Sequence, residues 1–408
     1  MIACRYCGSP LTVNFADLGA TPLANSYLEP TPEAIAAERS FPLHVMVCSA
    51  CRLVQTTETV PADAIFDHDY AYLSSYSASW VAHAKRYAEV MTKRFGLGPD
   101  SLAAEVASND GYLLQHFAQA GIPVLGIEPA GNAASLAEGK GVPTRVAFFN
   151  AATARALAQD RRADLIAANN VLAHVPDIRD FAAGFPIFLA PEGVLTFEFP
   201  HLLNLINQAQ FDTIYHEHYS YLSLLFVERL MQDAGMRVFD VEELPTHGGS
   251  LRVYACHAGA AHAEEAGLAK VRADEAAAGL DTDDAYAAFG PRIDAICQGF
   301  RAFLDQAEAE GKTVAAYGAA AKGNTFLNVA GVGVDRIPFV VDRNPEKQGR
   351  LLPGSHIPVH GPEHLDVAKP DYVVILPWNL AAEISTEHAR IAGWGGRFVT
   401  AVPELRIL

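Results

Sequence analysis

Four consecutive side chains, Tyr215, His216, Glu217 and His218, can each donate, accept or hold a proton. Such a run near the ligand edge of a sheet marks proton transfer as the chemistry to look for. His174, closing the stretch Asn170-Val-Leu-Ala-His174, is expected to rise from a neighbouring strand end. Tyr70 and Tyr72 are placed to reach over as a lid, whereas His216 would point away from its neighbours in an extended segment. A second group begins at Glu105, where a strand closes and a helix opens through Glu105-Val-Ala-Ser-Asn-Asp-Gly111. Only Gly111 remains of a possible glycine triplet, which argues against a dinucleotide fingerprint. Glu128 lies 23 residues beyond Glu105 and ends the next strand, placed to accept both hydroxyls of a ribose. Phe149 is placed either to pack on an adenine or to fill the core, and Asn169 ends a further strand near the same ligand.

Two C-x-x-C pairs, Cys4 with Cys7 and Cys48 with Cys51, form a third group. Four thiolates converging tetrahedrally suit Zn²⁺, and a closed shell leaves no position for a reactive water. The metal is therefore expected to be structural, folding roughly 60 residues that have a thin core of their own. Neither pair opens a helix after a strand, as a thioredoxin-like redox pair would. Cys256 and Cys297 read as core residues of a strand and a helix. Near the C-terminus, Gly318-Ala-Ala-Ala-Lys-Gly-Asn-Thr325 turns from a strand into a helix. Backbone N–H groups at such a turn can accept a phosphate, with Lys322 adding charge and Asn324 beside it. The spacing of a Walker loop is missing, so nucleotide hydrolysis is not expected.

The elements that must carry these residues change in texture along the chain. Residues 1 to about 60 hold both cysteine pairs among short β-prone runs. From about 78, helices alternate with short apolar strands: helix 80–95, strand 102–107, helix 112–119, strand 124–127, helix 133–138, then strands at 164–168 and 194–197. This alternation predicts a parallel sheet wrapped by helices. Runs 236–244 and 250–256 should return as an antiparallel hairpin through Thr246-His-Gly-Gly249. Residues 260 to about 310, rich in Ala and Glu, predict two connecting helices, either a solvated spacer with an apolar stripe or a functional element. Strands at 313–317, 337–341, 372–375 and 398–402 predict a smaller doubly wound unit.

The whole is 408 residues, half of them apolar, which is too long for one ordinary core. Lys plus Arg against Asp plus Glu gives 30 − 47 = −17, a balance opposed to tracking nucleic acid. The opening residues lack the basic start and apolar run of a secretory signal, and no window offers the roughly 20 apolar residues of a membrane span. A cytoplasmic protein is expected.

The pattern acid-x-small-x-x-x-Gly of Glu105 to Gly111 resembles the first motif of class I methyltransferases, with Ala107 in place of the usual first glycine. There it cradles the methionyl end of S-adenosylmethionine, which implies cofactor contacts for Glu105, Ala107, Asn109, Gly111, Glu128, Phe149 and Asn169. Together with the cysteine pairs, Pro22-Leu-Ala-Asn25, Tyr72-x-Ser-Ser75, Tyr215-x-Glu-His218, His247-Gly-Gly249 and Tyr317-Gly-Ala-x-Ala-Lys-Gly323, the chain resembles the three-domain sugar C-methyltransferases of deoxysugar biosynthesis. His216 departs from that pattern. The resemblance implies a zinc module (1–75), a central Rossmann-like S-adenosylmethionine domain (76–258), and a helical connector with a smaller nucleotide-sugar domain (259–408). It implies a monomer whose substrate is a nucleotide-linked keto sugar, bound in part by Lys322 and Asn324. It also implies a catalytic cluster of Tyr215, Glu217, His218 and His174, with a tyrosine from the 70–72 segment. A carbon beside a ketone becomes a nucleophile only on losing its proton, so a base and an enolate donor are needed. His218 is the expected base because imidazole titrates near neutrality, with Glu217 to orient or recharge it. Methylation of oxygen or nitrogen, and a nicotinamide-dependent sugar oxidoreductase, are the competing functions.

Overall fold

Short apolar strands separated by helices have one stable solution, a twisted parallel sheet covered on both faces. The computed structural model contains it twice. Residues 2–57 and 73–408 are described, so the expected lid residues Tyr70 and Tyr72 lie outside the described residues. In the N-terminal module, β1 (Val13–Pro22), β2 (Ser40–Val47) and β3 (Val54–Thr56) pair antiparallel.

The central sheet sets β4 (Ala103–Val106), β5 (Val124–Ile127), β6 (Thr144–Arg145), β7 (Ala163–Asn169) and β8 (Leu189–Pro200) parallel to one another. After β9 (Ser220–Tyr221), the expected hairpin forms from β10 (Met236–Leu244) and β11 (Ser250–His257), giving the order β10-β11-β8-β7-β4-β5-β6. The chain runs outward from β4 to β6, then returns to place β7 on the other side of β4. That reversal opens a crevice beyond the ends of β4 and β7, where Glu105 and Asn169 lie.

The C-terminal sheet is built from β12 (Val314–Tyr317), β13 (Val340–Val341), β14 (Val359–His360), β15 (Tyr372–Ile375), β16 (Arg397–Thr400) and β17 (Arg406–Ile407). Their order is β14-β13-β12-β15-β16-β17, and only β17 runs antiparallel. The strand expected over 337–341 shrinks to two residues because Pro338 has no N–H for a ladder. Three helices, not two, form the connector: Ala266–Ala277, Asp284–Ala287 and Phe289–Ala309.

One pairing was not foreseen. β9, which follows His218 almost at once, joins the N-terminal sheet by pairing antiparallel with β3 (Gln55 opposite Ser220). Apolar packing continues that junction. Tyr6, Leu11 and Leu53 share a core with Phe226 and Val227, while Phe15 and Leu43 share another with Phe289, Phe300 and Phe326. The N-terminal module therefore packs on both other units. Among the described residues no helix is long and apolar enough to cross a membrane.

Candidate active site

The loop after β4 turns tightly at this edge of the sheet. Ala107, Asn109 and Gly111 all adopt left-handed backbone angles, with φ of 57°, 48° and 76°. For a residue with a side chain this conformation costs about 1 kcal/mol or more, strain that clusters at ligand sites. Gly111 has a further reason to lack a side chain, since a Cβ there would lie 3.1 Å from that of Ala137. Glu105 is buried at the end of β4, and its Oε2 has no hydrogen-bond partner among the described residues. Burial, reinforced by Glu128 and Asp110, pushes its carboxyl well above the usual range. Asn169, at the end of the adjacent β7, also leaves Oδ1 buried without a partner. Orphaned acceptors of this kind cost about 1–3 kcal/mol each, and a cationic ammonium would relieve both. The residues present thus fit the methionyl end of S-adenosylmethionine.

Glu128 accepts from the backbone N–H of Asn109 (2.8 Å) and of Ala130 (2.9 Å), one bond to each oxygen. Each oxygen keeps a second lone pair for a ribose hydroxyl. Two further residues of this edge have protein partners. The side chain of Asn109 accepts from the Ser74 N–H at 2.9 Å and so pins the preceding segment. Phe149 packs inward, its ring 4.8 Å from Phe185 and 5.7 Å from Phe181, and Phe148 is the exposed ring of that loop.

A second group of titratable side chains lies on the turn after β7 and on the segment leading to β9. A turn at Phe211–Thr213 ends with the Thr213 carbonyl accepting from Nδ1 of His218 at 2.8 Å. A carbonyl can only accept, so Nδ1 carries the proton and Nε2 keeps its lone pair. His174 closes the short turn after β7 and donates from Nδ1 to the Glu217 carbonyl at 2.8 Å. The His174 and His218 rings lie 4.6 Å apart, and that of Tyr215 lies 4.0 Å from His218. Burial lowers His174 to about 4. Burial also holds His218 well below the usual imidazole range, helped by His174, Lys322 and His247. Burial thus favours the neutral form of both rings.

Glu217 is tied to a second module. Its carboxylate accepts from Asn25 Nδ2 at 2.6 Å, on the N-terminal module, while its backbone carbonyl accepts from His174. His216 points the other way, its Nε2 3.1 Å from the Phe41 carbonyl. The C-terminal turn has protein partners as well. The Ala319 N–H that a phosphate would need is taken by Asp342 at 2.7 Å, and Asn324 is buried, donating to the Ala24 carbonyl at 2.6 Å. Asn324 is a joint between modules. Lys322 lies with its ammonium 4.9 Å over the Trp378 ring.

Some residues around the site escaped sequence reasoning. Glu198, buried at the end of β8, accepts from His83 (2.9 Å), Arg252 (3.0 Å) and Thr246 (3.0 Å). Above it Trp80 stacks on His83 at 4.9 Å and meets His247 at 5.2 Å. His247 itself has φ 55°, and its neighbour Gly248 has φ 89° with room for nothing more, because a Cβ would lie 2.6 Å from Trp378. The His247-Gly-Gly249 triplet was the visible signal, and its cause is this close approach.

The four cysteine sulfurs lie within 4.8 Å of one another, with Cys4 to Cys51 at 3.6 Å and Cys7 to Cys48 at 3.4 Å. Tetrahedral Zn²⁺ with bonds of about 2.3 Å separates its sulfurs by about 3.8 Å, so the set fits zinc. Gln55 donates to the Cys4 sulfur at 3.1 Å. Arg5, between the first two cysteines, reaches the Thr56 carbonyl (3.1 Å), Ser220 Oγ (3.3 Å) and the Tyr219 carbonyl.

Comparison with known proteins places each unit. Residues 4–66 match the family described as "Putative zinc binding domain", 95–241 "Methyltransferase domain" and 245–403 "C-methyltransferase C-terminal domain". The C-methyltransferase NovU of Streptomyces niveus is 37% identical over 406 residues, covering 99% of this chain and 96% of its own. Among solved structures, an S-adenosylmethionine-dependent methyltransferase from Clostridium acetobutylicum aligns at 12% identity and a TM-score of 0.37, covering 44% of this chain and 92% of its own. The magnesium protoporphyrin IX methyltransferase of Synechocystis aligns at 16% and 0.35, covering 44% and 83%. With cofactor crevice, cysteine cluster and near full-length likeness in agreement, the chain belongs to the three-domain S-adenosylmethionine-dependent C-methyltransferases.

Proposed function

We propose that this enzyme methylates a carbon adjacent to the ketone of a nucleotide-linked keto deoxysugar, with His218 as the base. The observation that carries the reading is the tautomer of His218. Its Nδ1–H is anchored on Thr213, burial favours its neutral form, and the Nε2 lone pair remains to take a proton. A neutral, oriented imidazole suits the removal of a weakly acidic C–H. S-adenosylmethionine supplies an electrophilic methyl group that needs alignment and no further activation. On the protein side, Glu105 and Asn169 hold the cofactor's ammonium and Glu128 its ribose. Tyr215 donates to the sugar, and His174, braced by the Glu217 carbonyl, packs beside His218. The net charge of −17 favours a small acceptor over nucleic acid. We infer a monomer working in the cytoplasm.

The test pairs two readouts. Purified enzyme is incubated with S-adenosylmethionine and dTDP-, GDP- and CDP-linked keto sugars, and S-adenosylhomocysteine is measured. Separately, the sugars are held with the enzyme in D₂O, and deuterium entering the carbon next to the ketone is followed. Turnover with exchange supports the reading. Turnover without exchange assigns the methyl to oxygen or nitrogen, and silence across the panel with intact cofactor binding overturns the substrate class.

A further inference from the structure

Lys322 opens the helix Ala321–Ala330 of the C-terminal unit, and its position is fixed from the catalytic side. Three residues on, and on the same helix face, Thr325 donates to the Ile214 carbonyl at 3.1 Å, inside the segment that leads to His218. The Lys322 ammonium rests 4.9 Å over the Trp378 ring, and the indole N–H of Trp378 donates to Asp212 Oδ2 at 2.7 Å. Asp212 and Thr213 belong to one short turn, and the Thr213 carbonyl is the anchor of His218. A cation and a base supplied by different sheets are therefore indexed on adjacent residues of the same turn. Among the described residues the ammonium makes one hydrogen bond, a long one of 3.3 Å to Asn379 Oδ1. An ammonium has three N–H donors, so two remain for a ligand. A phosphate is poorly suited to them, since the neighbouring turn N–H is taken by Asp342 and Asp212 lies close behind Trp378.

We propose that Lys322 is a catalytic residue that donates to the ketone oxygen of the acceptor and holds the negative charge created when His218 removes the adjacent proton. This rests on the keto-sugar reading above. The proton passes to Nε2 of His218, the C–H pair becomes a C=C bond, and the C=O π pair moves onto oxygen, where the ammonium meets it. When the carbon takes the methyl, the carbonyl re-forms, and the pair of the broken S–CH₃ bond stays on sulfur as a neutral thioether. Burial lowers the pKa of Lys322 while Asp212 opposes that shift, and a partly desolvated cation is most effective against a charge that appears during reaction.

The experiment uses the full zinc-loaded chain and the dTDP-, GDP- and CDP-linked 4-keto-6-deoxyhexoses, with S-adenosylmethionine for turnover and, separately in D₂O, with S-adenosylhomocysteine in its place for exchange. Lys322→Met should slow both exchange at saturating sugar and kcat by about 100-fold or more, the scale of losing one oxyanion donor, and leave KM within about threefold. Lys322→Arg, which keeps the charge, should recover part of both rates. Melting temperature and S-adenosylhomocysteine affinity equal to wild type exclude a folding defect. A raised KM with exchange at saturation unchanged would make Lys322 a substrate anchor only and overturn the assignment. Wild-type failure to exchange any of the sugars would instead remove the keto-sugar reading, and this assignment with it.

Discussion

A histidine can act as a base only while it is neutral, and the surroundings of His218 favour that form. Its pKa is held well below the free value of about 6.5, first by burial and then by His174, Lys322 and His247. The active form is the unprotonated one, so the rate is full above the depressed pKa and falls as pH drops through it. Deuterium exchange should therefore hold level from pH 8 down through pH 6, where a free imidazole would already be mostly charged. His218→Asn should lose about 10²–10⁴ of the exchange rate across the whole range. An acid limb centred near 6.5 would show that the ring is solvated and the proposed environment wrong. At this scale the sequence was legible where chemistry demands a residue type at a fixed spacing, as at the four cysteines, whose sulfurs converge. It was not legible where direction decides. Glu217 and His218 are neighbours whose side chains go to different modules, and Asn324, two residues from Lys322, lies buried against Ala24. Nothing in a single sequence reveals that Trp378 fills the space Gly248 leaves.

The Ala- and Glu-rich connector shows the same limit for an element. Helix Ala266–Ala277, for which a solvated spacer is one of two readings, carries Glu275, which is 3% exposed. Its carboxylate accepts from His201 Nε2 (2.7 Å) and from the N–H groups of Leu224 (2.6 Å) and Leu225 (2.8 Å). Those two N–H groups open helix Leu224–Asp233 and have no partner within it. A helix cap thus arrives from a different element and fastens the connector to the central domain. Glu275→Ala leaves two helix donors and an imidazole unmatched in the interior, so we expect a loss of about 3 kcal/mol in urea unfolding. Glu275→Gln should lose less. A change under about 0.5 kcal/mol for the Ala variant would reduce Glu275 to a bystander. Strands such as β7 and β8 were legible because an apolar run between two helices has few other uses. The two residues of β9 carry no periodicity, and the partner strand that defines them lies more than 160 positions away.

At the scale of the whole molecule, that distant pairing ties the cysteine cluster to the segment that carries His218. Cys4 and Cys7 flank Arg5, and Arg5 grips Tyr219 and Ser220, the two residues after His218. β3, which follows the second cysteine pair, supplies the ladder partner of β9. The cofactor crevice is built differently, from the ends of β4, β5 and β7, none of which pairs with the N-terminal sheet. Removing the metal leaves four thiols in a site built for thiolates around a cation, and the two knuckle turns lose what fixes them. The two halves of the reaction should then separate. Metal-depleted protein should bind S-adenosylhomocysteine within about threefold of the native affinity by calorimetry. Its exchange of the sugar's proton should fall by at least about tenfold, since misplacing a reacting group by 1 Å can cost about 100-fold, and added Zn²⁺ should restore it. Cofactor affinity lost in step with exchange would make the zinc a general staple of the fold. Exchange that survives depletion would mean that the apolar contact of Tyr6 and Leu53 with Phe226 is enough to hold β9 in register without the metal.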